Sequence, residues 1–104
     1  MKEIYNAGTL AVWVKYEDDG RLAINGQDLG GHAVYEEYEY FIRVQPEDFP
    51  ALVASLGGQP GDDVLELVTA KAQEVVQIGE STWLTAHGIP YKFDNYGHEY
   101  KSWD

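Results

Sequence analysis

The chain has 104 residues, and 44% of them are hydrophobic, so we expect residues 1–104 to form a single domain with one modest core. Eighteen acidic against seven basic residues give a formal net charge of -11, which argues against nucleic acid and anionic membranes as partners. A basic protein surface is the natural complement, although solubility alone explains the charge equally well. The absence of cysteine excludes disulfides and thiolate chemistry and agrees with a cytoplasmic location.

Three segments in the first half of the chain alternate apolar and polar residues, as strands with one buried face do. Residues 9–16 and 21–25 flank a turn at residues 17–20, and together they predict a β-hairpin. Residues 25–31 contain three glycines and predict a loop. The strongest alternation lies in Tyr35–Val44, where one predicted face is apolar and the other is acidic at one end.

The apolar spacing becomes helical after the third strand. A first helix is predicted to start at Pro46–Asp48, because proline and acidic residues are favoured in a first turn. The pair of glycines that begins at Gly57 is expected to end it. A second helix is predicted to begin near Gly61, and its apolar stripe continues through Val76.

A short third helix is predicted for residues 80–87. Ser81 or Thr82 is its expected cap, and Gly88 lies just past its end, where glycine can adopt the left-handed conformation that stops a helix. Residues 91–94 form a candidate final strand, and the remaining tail is polar and aromatic.

These elements predict an α+β fold in the order βββααα, with the candidate final strand after them. An antiparallel sheet of three to four strands is expected to carry about three helices packed on one face. The other face of the sheet is then left to solvent or to a partner.

Few residues have the spacing that catalysis or metal binding requires. The three histidines are scattered, and the acidic loops lack the alternating ligands of a calcium loop. The chain has no nucleophile elbow and no glycine loop of the phosphate-binding kind. We therefore predict that the protein is not an enzyme and holds no metal and no cofactor.

The segment from Tyr35 to Tyr40 combines three acids with three tyrosines. In a strand, Glu37 and Glu39 point to one side, whereas Tyr38 and Tyr40 point to the other. Repeated like charges on one face destabilise a sheet modestly unless a basic partner neutralises them, and tyrosine is favoured at interface centres. A strand with a tyrosine core face and a solvated acidic face is the alternative interpretation, and the aromatic C-terminal tail allows the same two interpretations.

The chain resembles small immunity proteins of bacterial toxin–immunity systems, of the polymorphic toxin and contact-dependent inhibition type. The resemblance rests on size, acidity, lack of cysteine, α+β order and three local runs: residues 26–30, residues 38–40 and the helix start Pro46–Asp48. It implies a protein that binds and blocks the active site of a cognate toxin. Such toxins are often nucleases with basic clefts, which an acidic surface can occupy in place of nucleic acid phosphates.

On this hypothesis the cognate toxin domain is basic, and the partner-binding residues are Asp28, Tyr35, Glu36, Glu37, Glu39, Tyr96 and Trp103. One alternative is a regulatory or scaffold module that binds a protein unrelated to toxins. Another is a small-ligand-binding protein in which Trp13, Tyr38 and Tyr40 line a pocket.

Overall fold

The computed structural model describes residues 1–30 and 35–99, with the backbone alone for residues 35, 36 and 97–99. Over this range the chain forms one antiparallel sheet of five strands, each hydrogen-bonded to the next in chain order, with four α-helices between the last two strands. The strands are β1 (Lys2–Ala7), β2 (Leu10–Tyr16), β3 (Leu22–Asp28), β4 (Tyr35–Val44) and β5 (Lys92–Glu99). A 3-10 turn at Pro46–Asp48 leads into the helices α1 (Phe49–Ser55), α2 (Val64–Ala70), α3 (Ala72–Ile78) and α4 (Glu80–Ala86).

The α+β class is confirmed, but the predicted numbers of strands and helices are too small, since the described order is ββββααααβ. The sequence pattern does not predict β1, because the pairing register of β1 with β2 shifts at a bulge between Glu3 and Tyr5. Ile4 and Tyr5, adjacent in the chain, both pack against the core, so the strand shows no strict alternation. At the other end of the chain, β5 is twice as long as the candidate strand at residues 91–94, with eight residues against four.

The loop predicted for residues 25–31 is wrong in its first half, because β3 continues through Asp28. The single long second helix is also wrong. Lys71, at φ -103 and ψ 12, leaves the helical conformation and separates α2 from α3. An apolar stripe indicates which side chains face the core, but it does not predict the backbone angles of a single residue such as Lys71.

The predicted stop of the last helix is confirmed. Gly88 has φ 68, its amide donates to the Thr85 carbonyl at 3.1 Å, and the Ile89 amide donates to the Leu84 carbonyl at 2.9 Å, which is a Schellman motif. The predicted cap at Ser81 or Thr82 is wrong, because α4 already begins at Glu80.

All four helices cover the same face of the sheet. The core combines alternate residues of β2, β3 and β4 with the apolar stripes of the helices, and its most buried large side chains are Leu22, Ile42, Leu52, Leu84, Val12, Val14 and Val44. The opposite sheet face, which we call the open face, has no helix over it among the described elements. No helix in the described part of the chain is long and apolar enough to cross a membrane.

The start of α2 offers a first test of the fold. The Asp63 carboxylate accepts a hydrogen bond from the Leu65 amide at 3.1 Å and another from the Tyr16 hydroxyl, which ties the helix to β2. We expect Asp63→Ala to lower the free energy of unfolding by about 1 kcal/mol in urea denaturation. Asp48→Ala is the matched control, because Asp48 precedes α1 without capping it through its side chain. Equal effects of the two substitutions would contradict the assignment.

Candidate functional site

The open face carries three rows of side chains that run across the strands. The register of β2 to β5 defines them: Ala11, Gln27, Glu39 and Tyr96 in the first, Trp13, Asn25, Phe41 and Asp94 in the second, and Lys15, Ala23, Arg43 and Lys92 in the third. The first row, together with Glu37, is the acidic end of the open face. The second row places two aromatic residues at its centre, and the third row is the basic end.

At the acidic end, one amide group bridges two carboxylates. The Gln27 Nε2 donates to Glu37 Oε1 at 3.0 Å and approaches Glu39 Oε1 at 3.4 Å. Tyr96, which is 55% exposed, lies directly opposite Glu39 on β5. These contacts hold two carboxylates side by side on the open face.

The basic end is held by a separate network. The Arg43 guanidinium donates to Asn25 Oδ1 at 2.7 Å and forms an ion pair with Glu17 at 2.8 Å. Lys92 lies opposite Arg43, and both line a shallow cavity of about 360 Å³ with Phe41. Glu37 and Glu39 are therefore gathered at one end of the open face and the basic side chains at the other, where Glu17 pairs with Arg43 and Asp94 lines the same cavity.

Acidic residues also lie outside the open face. Six are spread over the helical side of the domain: Glu47, Asp48, Asp62, Asp63, Glu66 and Glu74. The net charge is thus distributed around the described molecule. The distinctive feature of the open face is that its acidic and basic ends lie apart.

A second feature lies at the acidic end of the sheet, on the face that the helices cover. Residues of β2 to β5, α3 and α4 line an open cavity of about 290 Å³, which we call the sheet–helix pocket. Its polar lining comes from Asp28, Tyr38, Tyr40, Glu80 and Ser81, and its apolar lining includes Phe93.

Glu80 is the one buried charged residue among the described side chains, with 4% of its surface exposed. Its carboxylate accepts a hydrogen bond from the Tyr40 hydroxyl. Burial raises the pKa of Glu80, and the bond from Tyr40 opposes this only in part. The pKa of Tyr40 is also raised, first by burial and then by the charge of Glu80.

Tyr40 owes its position to the glycine opposite it. Gly26 pairs with Tyr40 across the strands, and a Cβ atom built on Gly26 would lie 2.1 Å from the Tyr40 Cζ. The tyrosine ring therefore lies over the backbone of β3, where any other residue would displace it. This explains why a glycine occurs inside a strand and how the Tyr40 hydroxyl reaches Glu80.

The predicted partner-binding residues do not all meet on one surface. Glu37, Glu39 and Tyr96 lie together at the acidic end, as predicted for the two glutamates. Asp28 lies on the opposite side, in the sheet–helix pocket. It follows Gly26 by two residues in β3, and alternate residues of a strand face the same side. The side chains of Tyr35 and Glu36 lie outside the described part, as does the whole of Trp103.

The predicted pocket lined by Trp13, Tyr38 and Tyr40 is also corrected. Tyr38 and Tyr40 do line a common pocket, but Trp13 lies on the open face between the buried Val12 and Val14. Sequence reasoning missed Gln27, which lay in the predicted loop, and the buried Glu80, whose place at a helix start resembles an ordinary exposed first-turn acid.

Comparisons with known proteins give no family: no protein-family profile, curated protein or solved structure matches the chain. Within residues 1–30 and 35–99, no group of three or more histidine and acidic residues could hold a metal ion. The function is therefore inferred from the chemistry of the open face and of the sheet–helix pocket.

Proposed function

We propose that this chain is an immunity-type protein that binds a basic bacterial toxin domain through its open face. The observation that carries the proposal is an uncovered sheet face with two aromatic residues at its centre, Trp13 and Phe41, between an acidic and a basic end. Protein interfaces have this composition: aromatic residues and arginine are enriched, and a polar rim surrounds them.

The central aromatic residues are suited to supply most of the binding energy. Trp13 and Phe41 lie in one row, separated by Asn25, and both side chains are only partly buried. A partner that covers them removes apolar surface from water without any rearrangement of the sheet, because both residues lie in strands that are already paired.

The ends of the open face are suited to set orientation and association rate. Glu37 and Glu39 favour basic residues of the partner, such as those that line the nucleic-acid cleft of a nuclease. Arg43 and Lys92 at the other end favour an acidic or neutral surface and disfavour the reversed orientation. A toxin bound in this way would have carboxylates where its substrate's phosphates bind, which accounts for inhibition.

The proposal predicts that reversing the charge of the acidic end abolishes protection. We expect the double substitution Glu37→Lys and Glu39→Lys to lower the association rate with the protein encoded beside this chain by at least about tenfold at low salt. The measurements are surface plasmon resonance and growth rescue when the two proteins are co-expressed.

Glu47→Lys with Glu74→Lys is the matched control, because it changes the net charge equally on exposed helical residues. The control variant should still bind and protect. Equal losses for the two variants would assign the effect to overall charge and contradict the proposed surface. A neighbouring protein that binds but is harmless when expressed alone would favour a regulatory module over an immunity protein.

A further inference from the structure

The sheet–helix pocket combines aromatic walls with carboxyl groups at one small cavity. Its rings are close together: the Tyr38 and Tyr40 centroids are 6.2 Å apart at an interplanar angle of 39°, and Tyr40 and Phe93 are 6.2 Å apart at 12°. Aromatic faces attract cations through the negative face of their π-system, most strongly where water is excluded. The walls are therefore suited to a group that is both partly apolar and positively charged.

The carboxyl groups strengthen this preference. Glu80 is almost fully buried, and no lysine or arginine among the described side chains forms an ion pair with it. Asp28 lines the same cavity, where its Oδ1 accepts a hydrogen bond from the Thr9 hydroxyl at 2.5 Å. A buried carboxylate destabilises a fold unless a charge compensates it, and a cation in the pocket would supply that charge.

We propose that the sheet–helix pocket is a binding site for an organic cation, an alkylammonium or guanidinium group that contacts Glu80 and the rings of Tyr38 and Tyr40. Its volume of about 290 Å³ is at the lower end of the range for small-ligand sites, which suits a group of this size. Phosphates and carboxylates are excluded as ligands, because Asp28 and Glu80 repel them. The group comes either from a free small molecule or from a lysine or arginine side chain of a protein.

This site is independent of the proposed protein interface. Glu37 and Glu39 project from the open face, whereas the sheet–helix pocket lies between the sheet and α4. Failure of one proposal therefore leaves the other standing.

The test is an NMR titration of the whole chain with cations and their uncharged analogues. The pairs are choline with 3,3-dimethylbutanol, butylammonium with butanol, and butylguanidinium with butylurea. The side-chain amide of Asn95, which donates to the Tyr38 hydroxyl at 3.2 Å, is a reporter at the pocket rim. We expect saturable shifts there with at least one cation and at least about tenfold weaker binding of its neutral analogue. Equal binding of cation and analogue, or no binding of any cation, would overturn the proposal.

Two variants assign the binding to the pocket. Glu80→Gln keeps an acceptor for the Tyr40 hydroxyl and removes the charge, and we expect it to weaken cation binding about tenfold. Tyr38→Leu removes one aromatic wall and should also weaken binding, whereas the control Glu74→Gln on α3 should not. Unchanged affinity in both pocket variants would refute the site.

Blocked lysine and arginine tripeptides distinguish the two sources of the cation. Tighter binding than butylammonium or butylguanidinium identifies a protein side chain as the source, and weaker binding identifies a free molecule.

Discussion

Replacing Gly26 by alanine is expected to lower the free energy of unfolding by about 1–3 kcal/mol, although alanine usually stabilises a strand relative to glycine. The new methyl group would lie 2.1 Å from Cζ and 2.3 Å from Cε1 of the Tyr40 ring. The ring cannot move away freely, because its hydroxyl is bonded to the buried Glu80. The substitution must therefore break this contact or shift the strand, and urea denaturation measures the effect.

A double-mutant cycle with Tyr40→Leu isolates the cause. If the clash with the ring is responsible, Gly26→Ala should be far less harmful, or even favourable, when leucine occupies position 40. The coupling energy between the two substitutions should then be about 1 kcal/mol or more. Additive effects would show that Gly26 is required for a reason other than the position of Tyr40.

Replacing Glu80 by glutamine is expected to stabilise the free protein at pH 7 by about 0.5–2 kcal/mol. Burial raises the pKa of Glu80 above its ordinary value of 4.5, so the native state holds this proton to higher pH than the unfolded chain does. The contribution of Glu80 to stability is therefore fully present below pH 4.5 and is lost as the pH rises through the folded-state pKa. Glutamine carries no charge, so the variant does not lose this stability as the pH rises.

The measurement is the difference in unfolding free energy between the two proteins from pH 4 to pH 8. The difference should be small at the acidic end and should grow with pH. The other titratable groups that line the pocket, Asp28, Tyr38 and Tyr40, are common to both proteins and largely cancel. Glu39→Gln on the open face is the control for the loss of one carboxylate outside the pocket. A constant difference across the range would contradict the burial of an ionisable Glu80.

Much of the sheet was predictable because burial on one face imposes a period of two on the sequence. Tyr35–Val44 matches the predicted strand at both ends, and Glu37 and Glu39 face the side opposite to Tyr38 and Tyr40 as expected. The pattern failed where local geometry overrode it. A bulge in β1 removed the alternation there, and Lys71 divided a continuous apolar stripe into two helices.

The candidate sites depend on long-range pairing, which a single sequence does not reveal. Arg43 and Lys92 are far apart in the chain and become neighbours only through the β4–β5 register. The sequence predicts Asp28 on the same partner-binding surface as Glu37, but β3 continues through Asp28 and places it on the helix-covered side. Glu80 occupies a helix start, where acids are usually exposed, but it is buried and bonded to Tyr40 of the distant β4.

The central claim is that the open face binds the partner, and two tryptophans test it most directly. Trp13 lies partly exposed at the centre of the open face, whereas Trp83 is buried in the core at 4% exposure. In the complex with the neighbouring protein, the indole N–H signal of Trp13 should shift strongly, and that of Trp83 should barely change. A complex that leaves the Trp13 signal in place, with its largest shifts on the helices, would contradict the account.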